Sequence, residues 1–249
     1  MGTSIVITSG KGGTGKTTSV GAISSCLAAM GKRVLCIDAD VGLKNLDLSL
    51  GLSDTALMDF YDVMEGRCPL EDAAVEHPTI SGLFFLTAPV SVRPEDISKD
   101  GFLELVDEAK DLFDYCIIDS PAGIGPGFQL AASAGDIIIV VATGDSSSMR
   151  DAHRVSQELA RMGKNNVRLL VNRVRPRVFK KVSGTIDNII DASSVQLLGV
   201  VEEDPSVIVS ANLSVPLVLY SRRGAAMQFL HIARRIDGKP CRLGRIRGR

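Results

Sequence analysis

Short runs of consecutive apolar residues recur along this chain: 4–9 (SIVITS), 33–38 (RVLCID), 82–88 (GLFFLTA), 115–120 (YCIIDS), 136–143 (DIIIVVAT), 168–174 (RLLVNRV) and 197–203 (LLGVVEE). A strand with one wet face alternates apolar and polar residues, whereas a strand covered on both faces does not. Between these runs lie helix-length stretches, Lys16–Met30, Leu103–Leu112, Ser147–Met162, Ile186–Val195 and Ala225–Ile236, with Gly31 and Gly163 placed as stops. Strand and helix in alternation point to an α/β domain, doubly wound around a mostly parallel sheet with helices on both faces. A chain of 249 residues, 45% hydrophobic, suits one such domain. Aromatics are 4% with no Trp, so the core must be built from Val, Ile, Leu and Ala. No repeat or low-complexity tract divides the chain; residues 1–237 read as one domain and 238–249 as a basic tail.

The net charge of −1 gives the molecule as a whole no nucleic-acid signature. The five cysteines, Cys26, Cys36, Cys68, Cys116 and Cys241, are scattered, odd in number and without a CxxC pair, which leads us to expect reduced thiols. Cys26, Cys36 and Cys116 lie in apolar runs and suit small buried hydrophobes. No basic-then-apolar leader precedes the first strand, and runs such as IIIVVA are too short to span a bilayer. The expected location is the cytoplasm.

The first apolar run leads into Gly10-x4-Gly15-Lys16-Thr17, which fits the phosphate-loop pattern G-x-x-x-x-G-K-[ST] in full. It follows a predicted strand and opens a predicted helix, the context the pattern requires. Gly10, Gly12, Gly13 and Gly15 let the backbone close around phosphates, and the N–H groups, that of Thr14 among them, supply anion affinity with the helix N-terminus. Lys16 is assigned to the β- and γ-phosphates, the Thr17 hydroxyl to Mg²⁺ and Thr18 to a phosphate oxygen. Asp38, Asp40 and Asp119 fall at the C-terminal ends of apolar runs, the edge where open α/β sheets bind ligands. Asp119 reads as the carboxylate that serves Mg²⁺. Asp38 and Asp40 read as holders of metal-bound and attacking water, with Asp40 also assigned to the metal site. Each aspartate alone would suit a cap or turn; three on one edge with the loop point to chemistry. Lys11 is one lysine more than the loop needs. Its position allows it to bend inward, to reach a second molecule's nucleotide, or to stand solvated.

The stretch KGGTGKTT resembles the deviant Walker A motif, KGGxGKT[ST], of the ParA/MinD family of dimeric ATPases. Segments 38–52, 62–73, 114–124 and 149–154 are similar, in order and spacing, to those of the family's division-site members, so the resemblance covers nearly the whole chain. It implies an Mg²⁺-dependent ATP hydrolase with ATP/ADP as its nucleotide. In that scheme Lys11 reaches the partner's nucleotide in an ATP-bound sandwich homodimer, and Lys11, Lys16 and Mg²⁺ neutralise developing charge. Asp38 and Asp40 lie near the γ-phosphate and the hydrolytic water. Asn172 reads adenine, and Asp204 to Val207, with Pro205, wrap the base. The implied output is placement of the division septum from the inner face of the cytoplasmic membrane, with division inhibitor or activator proteins of the MinC/MinE kind as partners.

The sequence departs from the family in two places. The family's Arg-Asp-x-Asp-Arg becomes Arg150-Asp151-Ala152-His153-Arg154, in the region that meets the activator. Where the family has an amphipathic membrane helix, this chain ends GKPCRLGRIRGR. Lys239, Arg242, Arg245, Arg247 and Arg249 supply charge, each gaining about 1 kcal/mol against an anionic leaflet. Leu243 and Ile246 alone supply apolar surface, and Pro240, Gly244 and Gly248 weaken a helix. A weak membrane anchor, a plain basic tail and loose contact with nucleic acid therefore all stay open. Rival outputs are a flagellar-number regulator of the same family and a ParA-like DNA-segregation ATPase, for which Arg173, Arg175, Arg177, Lys180 and Lys181 would be the basic run. An iron–sulfur reductase would need two cysteines placed to share a cluster, a placement not seen here.

Overall fold

The computed structural model describes residues 1–42, 45–53, 55–90, 92–176 and 195–241. Its strands are β1 (Thr3–Thr8), β2 (Val34–Asp38), β3 (Val75–Glu76), β4 (Leu83–Leu86), β5 (Tyr115–Asp119), β6 (Ile137–Thr143), β7 (Val167–Val174) and β8 (Gln196–Glu202). They form one sheet in the order β3-β4-β2-β5-β1-β6-β7-β8. Every neighbouring pair is parallel except the short edge pair β3 and β4. The helices are α1 (Lys16–Ala29), α2 (Leu46–Leu50), α3 (Phe60–Met64), α4 (Leu70–Ala73), α5 (Lys99–Leu112), α6 (Pro126–Ser133), α7 (Ser146–Arg161), α8 (Pro205–Asn212), α9 (Leu217–Tyr220) and α10 (Ala225–Ile236).

The central strands are apolar on consecutive positions because successive side chains enter two different cores. Ile5 and Ile7 of β1 pack with Val20, Ile23 and Leu27 of α1 and Phe229 and Ile232 of α10. Val6 points the other way, into a core with Phe102, Leu105, Phe128 and Val155. Burying a side chain of this size contributes about 1.5–3 kcal/mol. The doubly wound, mostly parallel sheet expected from the sequence is the fold observed.

Several elements differ from the sequence reading. The helix expected at Leu103 starts at Lys99, because the Ser98 hydroxyl accepts the Gly101 N–H at 3.2 Å and caps it a turn earlier. Residues 46–73 hold three short helices with no apolar periodicity of helix length. One of them, α3, is fastened by a reciprocal capping box: Asp59 accepts the N–H groups of Tyr61 and Asp62, while Asp62 accepts that of Asp59. It is held down by Phe60, whose ring meets Phe102 edge-on at 5.6 Å. The helix expected over Ile186–Val195 lies outside the described residues apart from Val195. So do Arg177, Lys180 and Lys181 and the tail from Arg242 onward. Among the described residues no helix is long and apolar enough to cross a membrane.

Strand β1 has β5 on one flank and β6 on the other. The connection out of β1 runs through α1 to β2 on one side, that out of β5 runs through α6 to β6 on the other, and such a switch point opens a crevice at the strands' carboxyl ends.

Candidate nucleotide site

The loop from Ser9 to Gly15 leaves β1 at this crevice and enters α1. Its glycines have different physical tasks. Gly15 has φ 93°, left-handed, and a Cβ there would sit 2.2 Å from Asn172 Nδ2. A Cβ on Gly10 would lie 2.6 Å from Cβ of Asp151 and 2.7 Å from its carbonyl oxygen, so the loop packs directly on α7. Gly12 and Gly13 instead face open space, with nothing within 4 Å of a built Cβ. Two glycines thus serve the loop's packing, and two leave room for a ligand.

The N-terminus of α1 carries no side-chain cap. Its first-turn N–H groups and the helix dipole are therefore directed at the crevice. Lys16, in that first turn, is buried beside them. Asp119 ends β5 and Asp38 ends β2, paired in register across the sheet, and Asp40 follows two residues on. Asp119 is buried and its carboxyl is pushed up to about 8, by burial first and then by the charge of Asp38; the Thr17 hydroxyl and Lys16 pull the other way. Burial lifts Asp38 to about 6 against the N–H groups of Asp40 and Leu46, which donate to it at 3.0 and 3.4 Å. Burial also raises Asp40, with Lys16 opposing. Carboxyls crowded and desolvated in this way resist ionising until a cation joins them.

Among the described residues, Asp119 Oδ1 and Thr14 Oγ1 are buried polar atoms with no hydrogen-bond partner. Together with the space over Gly12 and Gly13, these atoms fit an Mg²⁺–nucleotide. Thr17 and the aspartates offer hard oxygen donors, and the loop N–H groups and Lys16 would hold the phosphates of such a ligand.

Next to the loop is a cavity of about 400 Å³ lined by Gly15, Thr18, Asn172, Asp204, Val207 and Phe229. Asn172, near the end of β7, donates from Nδ2 to the Thr14 carbonyl at 2.9 Å, which ties the cavity wall to the phosphate loop. The Asp204 carboxylate is engaged by the N–H groups of Ser206 (2.8 Å) and Ala225 (2.9 Å). It caps α8, which begins at Pro205, and fixes the start of α10, so its contribution to the cavity is shape.

Two residues that the sequence reading did not place at the loop belong to it. Arg173 has φ 54°, unusual for a residue with a side chain. Its guanidinium donates to the Gly13 carbonyl at 3.0 Å and pairs with Glu203 at 3.5 Å, bracing the loop tip. Asp145, the N-cap of α7, takes the Lys11 ammonium at 3.2 Å. His153 stays on α7 as a half-buried polar residue, its Nε2 3.1 Å from the Gln157 side-chain amide.

A family model described as the CobQ/CobB/MinD/ParA nucleotide binding domain matches residues 5–217. The septum site-determining protein MinD of Bacillus subtilis is 40% identical over 249 residues, spanning 96% of this chain and 90% of that protein. Among solved structures, the MinC:MinD cell division protein complex of Aquifex aeolicus is 38% identical, with a TM-score of 0.90 and coverage of 98% of this chain and 99% of that one. MinD of Pyrococcus horikoshii, solved with Mg-ADP, is 28% identical with a TM-score of 0.83, covering 95% and 96%. With a phosphate-loop pattern between strand and helix, the buried carboxylates of Asp38 and Asp119 and a cavity beside the loop on this framework, the chain belongs to the CobQ/CobB/MinD/ParA family and is MinD-like within it.

Proposed function

We propose that this protein is an Mg²⁺-dependent ATPase that acts as a dimerisation switch in division-site placement. The observation that carries the reading is the unpartnered Asp119 oxygen buried beside Thr17, at the mouth of an uncapped helix that holds Lys16. Bound Mg²⁺ would supply charge neutralisation at the β- and γ-phosphates and would be held through Thr17, with Asp119 and Asp40 behind it. The protein's own groups do the rest. Loop N–H groups and Lys16 bind the phosphates, and Asp40 and Asp38 order the attacking water at the crevice rim. Asn172 and the wall from Asp204 to Val207 seat the base. Lys11, half-buried at the loop's start, serves the nucleotide of a second copy, so that ATP occupancy becomes dimerisation.

The relative solved as a MinC:MinD complex supports a division-inhibitor partner for this chain. The relative solved with Mg-ADP supports the cofactor. Attachment to the inner face of the cytoplasmic membrane would run through the basic tail, residues 238–249.

The test is Lys11→Ala, followed by light scattering behind a sizing column, with and without Mg-ATP, and by titration with a fluorescent ADP analogue. The expected result is retained binding of the analogue and loss of the ATP-dependent dimer. A Lys11→Ala protein that dimerises as the wild type does would overturn the cross-subunit role. Co-sedimentation with anionic liposomes, before and after removal of residues 239–249, tests the tail.

A further inference from the structure

Lys11 is not free in this structure. Its ammonium lies 3.2 Å from Asp145 Oδ1, across 134 residues of sequence. The two partners are held unequally. Asp145 Oδ1 also accepts the Ser148 N–H at 2.9 Å, and its Oδ2 accepts the Thr143 hydroxyl, so the end of β6 and the first turn of α7 fix this carboxylate without help from Lys11. Burial acts upward on the Asp145 carboxyl, but its three donors outweigh burial and hold it at about 2. On the other side, the Lys11 backbone is pinned, its carbonyl accepting the Ser9 hydroxyl at 2.7 Å. Gly10, one residue before, is already against Asp151 of α7 with no room for a methyl group. The loop therefore has no room to approach α7 further. The four-carbon stem of Lys11, whose side chain is 38% exposed, is the part with room to swing.

We infer that Asp145 is a positioning residue that holds Lys11 in its own chain, as a latch that opens when a second chain's triphosphate competes for the amine. The inference rests on the cross-subunit reading of Lys11 given above, and it adds a cost to dimerisation that the wild-type chain carries by design. An anion of higher charge wins the lysine; the nucleotide-free chain keeps it folded back. Two latches open per dimer. An exposed ion pair of this kind shifts an equilibrium by about 1.4- to 5-fold. The pair of them therefore weakens the dimer by about 2- to 30-fold.

Asp145→Asn removes the charge and keeps a side chain that caps a helix equally well, so α7 should stay in place. Asp145→Ser serves as the second variant if the first folds poorly. Two measurements are made on the full chain. In the nucleotide-free monomer, the rate of acylation of the Lys11 amine is followed by mass spectrometry. Lys164, bonded to the carbonyls of Ser133 and Gly135, is the internal reference. The expected result is Lys11 labelling about 1.4- to 5-fold faster in Asp145→Asn, with Lys164 unchanged. At saturating Mg-ATP, sedimentation should then give a dimer dissociation constant about 2- to 30-fold lower in Asp145→Asn. The same change in a Lys11→Ala background should do nothing. Equal labelling in variant and wild type overturns the latch, and so does a variant dimer no tighter than the wild type. If Lys11→Ala itself dimerises normally, the cross-subunit reading fails, and the labelling experiment still judges the contact in the monomer.

Discussion

Gly15→Ala isolates what the phosphate loop requires of its own protein before any ligand arrives. Gly15 stands at φ 93°, and a residue with a Cβ costs about 1–2 kcal/mol in the left-handed region. The new methyl would also sit 2.2 Å from Asn172 Nδ2, so Asn172 must turn out of the way. Turning breaks its 2.9 Å bond to the Thr14 carbonyl, a net loss of about 0.5–1.5 kcal/mol. The whole perturbation is then about 1.5–3.5 kcal/mol. If the loop holds its shape, that loss appears in the stability of the fold. If the loop relaxes, its N–H groups leave their positions and the loss appears in nucleotide affinity, as a weakening of about tenfold to several hundredfold. Urea unfolding and titration with a fluorescent ADP analogue, both in Mg²⁺, read the two parts, and their sum is the quantity predicted. A double-mutant cycle sharpens the test. In an Asn172→Ala background the methyl meets no amide, so Gly15→Ala should cost only the backbone share, with a coupling of about 0.5–1.5 kcal/mol. Strict additivity of the two substitutions would refute the packing argument. A Gly15→Ala protein with unchanged stability and unchanged affinity would refute both parts.

The neighbouring glycine gives the opposite pattern. Gly12→Ala meets nothing within 4 Å and no left-handed backbone, so urea unfolding should be unchanged within about 0.5 kcal/mol while affinity for the ADP analogue falls. Phe60→Ala empties a fully buried site beside Phe102 and should cost about 3–5 kcal/mol in urea unfolding, with the loop contacts of Asn172 and Arg173 untouched. His77 sets a pH dependence. Its Nδ1 accepts the N–H groups of Thr79 and Ile80 at 3.1 Å each, so its Nε2 carries the proton toward the Leu50 carbonyl at 3.0 Å and the ring is neutral. Burial holds its pKa below the usual 6.5. The unfolded chain therefore takes up the proton first, and the contribution of His77 is complete above pH 6.5 and declines as pH falls toward the lower folded value. His231, also depressed, and Asp38, raised to about 6, titrate in the same range. The quantity to measure is therefore the difference in urea midpoint between wild type and His77→Gln, which should shrink as pH falls below 6.5.

What was legible in the sequence, and what was not, divides by whether the physical cause is local. Strands buried on both faces show as unbroken apolar runs, so the doubly wound sheet could be read directly. The phosphate loop could be read because its pattern is ten residues or fewer and its flanks are a strand and a helix. Helices α2, α3 and α4 left no such trace. They are four or five residues long; α3 has its capping box, α2 and α4 have no side-chain cap, and all three rest on buried anchors such as Leu46, Phe60 and Leu70. Further anchors come from distant side chains: Asp38 receives the N–H of Leu46 at one end of α2, and His77 donates to the carbonyl of Leu50 at the other. Arg173 looked like one member of a basic run, since nothing in the residues VNRV announces a positive φ that turns its guanidinium onto Gly13. The pairing of Lys11 with Asp145 needed the strand order. Strands β1 and β6 are parallel neighbours, with Thr8 opposite Val140. Lys11 and Asp145 follow these positions by three and five residues, leaving the same sheet edge from adjacent strands. Here a lysine three residues past one strand position and a helix-capping aspartate five residues past its parallel neighbour come within 3.2 Å. Strand adjacency, more than spacing within the phosphate loop, therefore decides whether such a lysine waits bound or free.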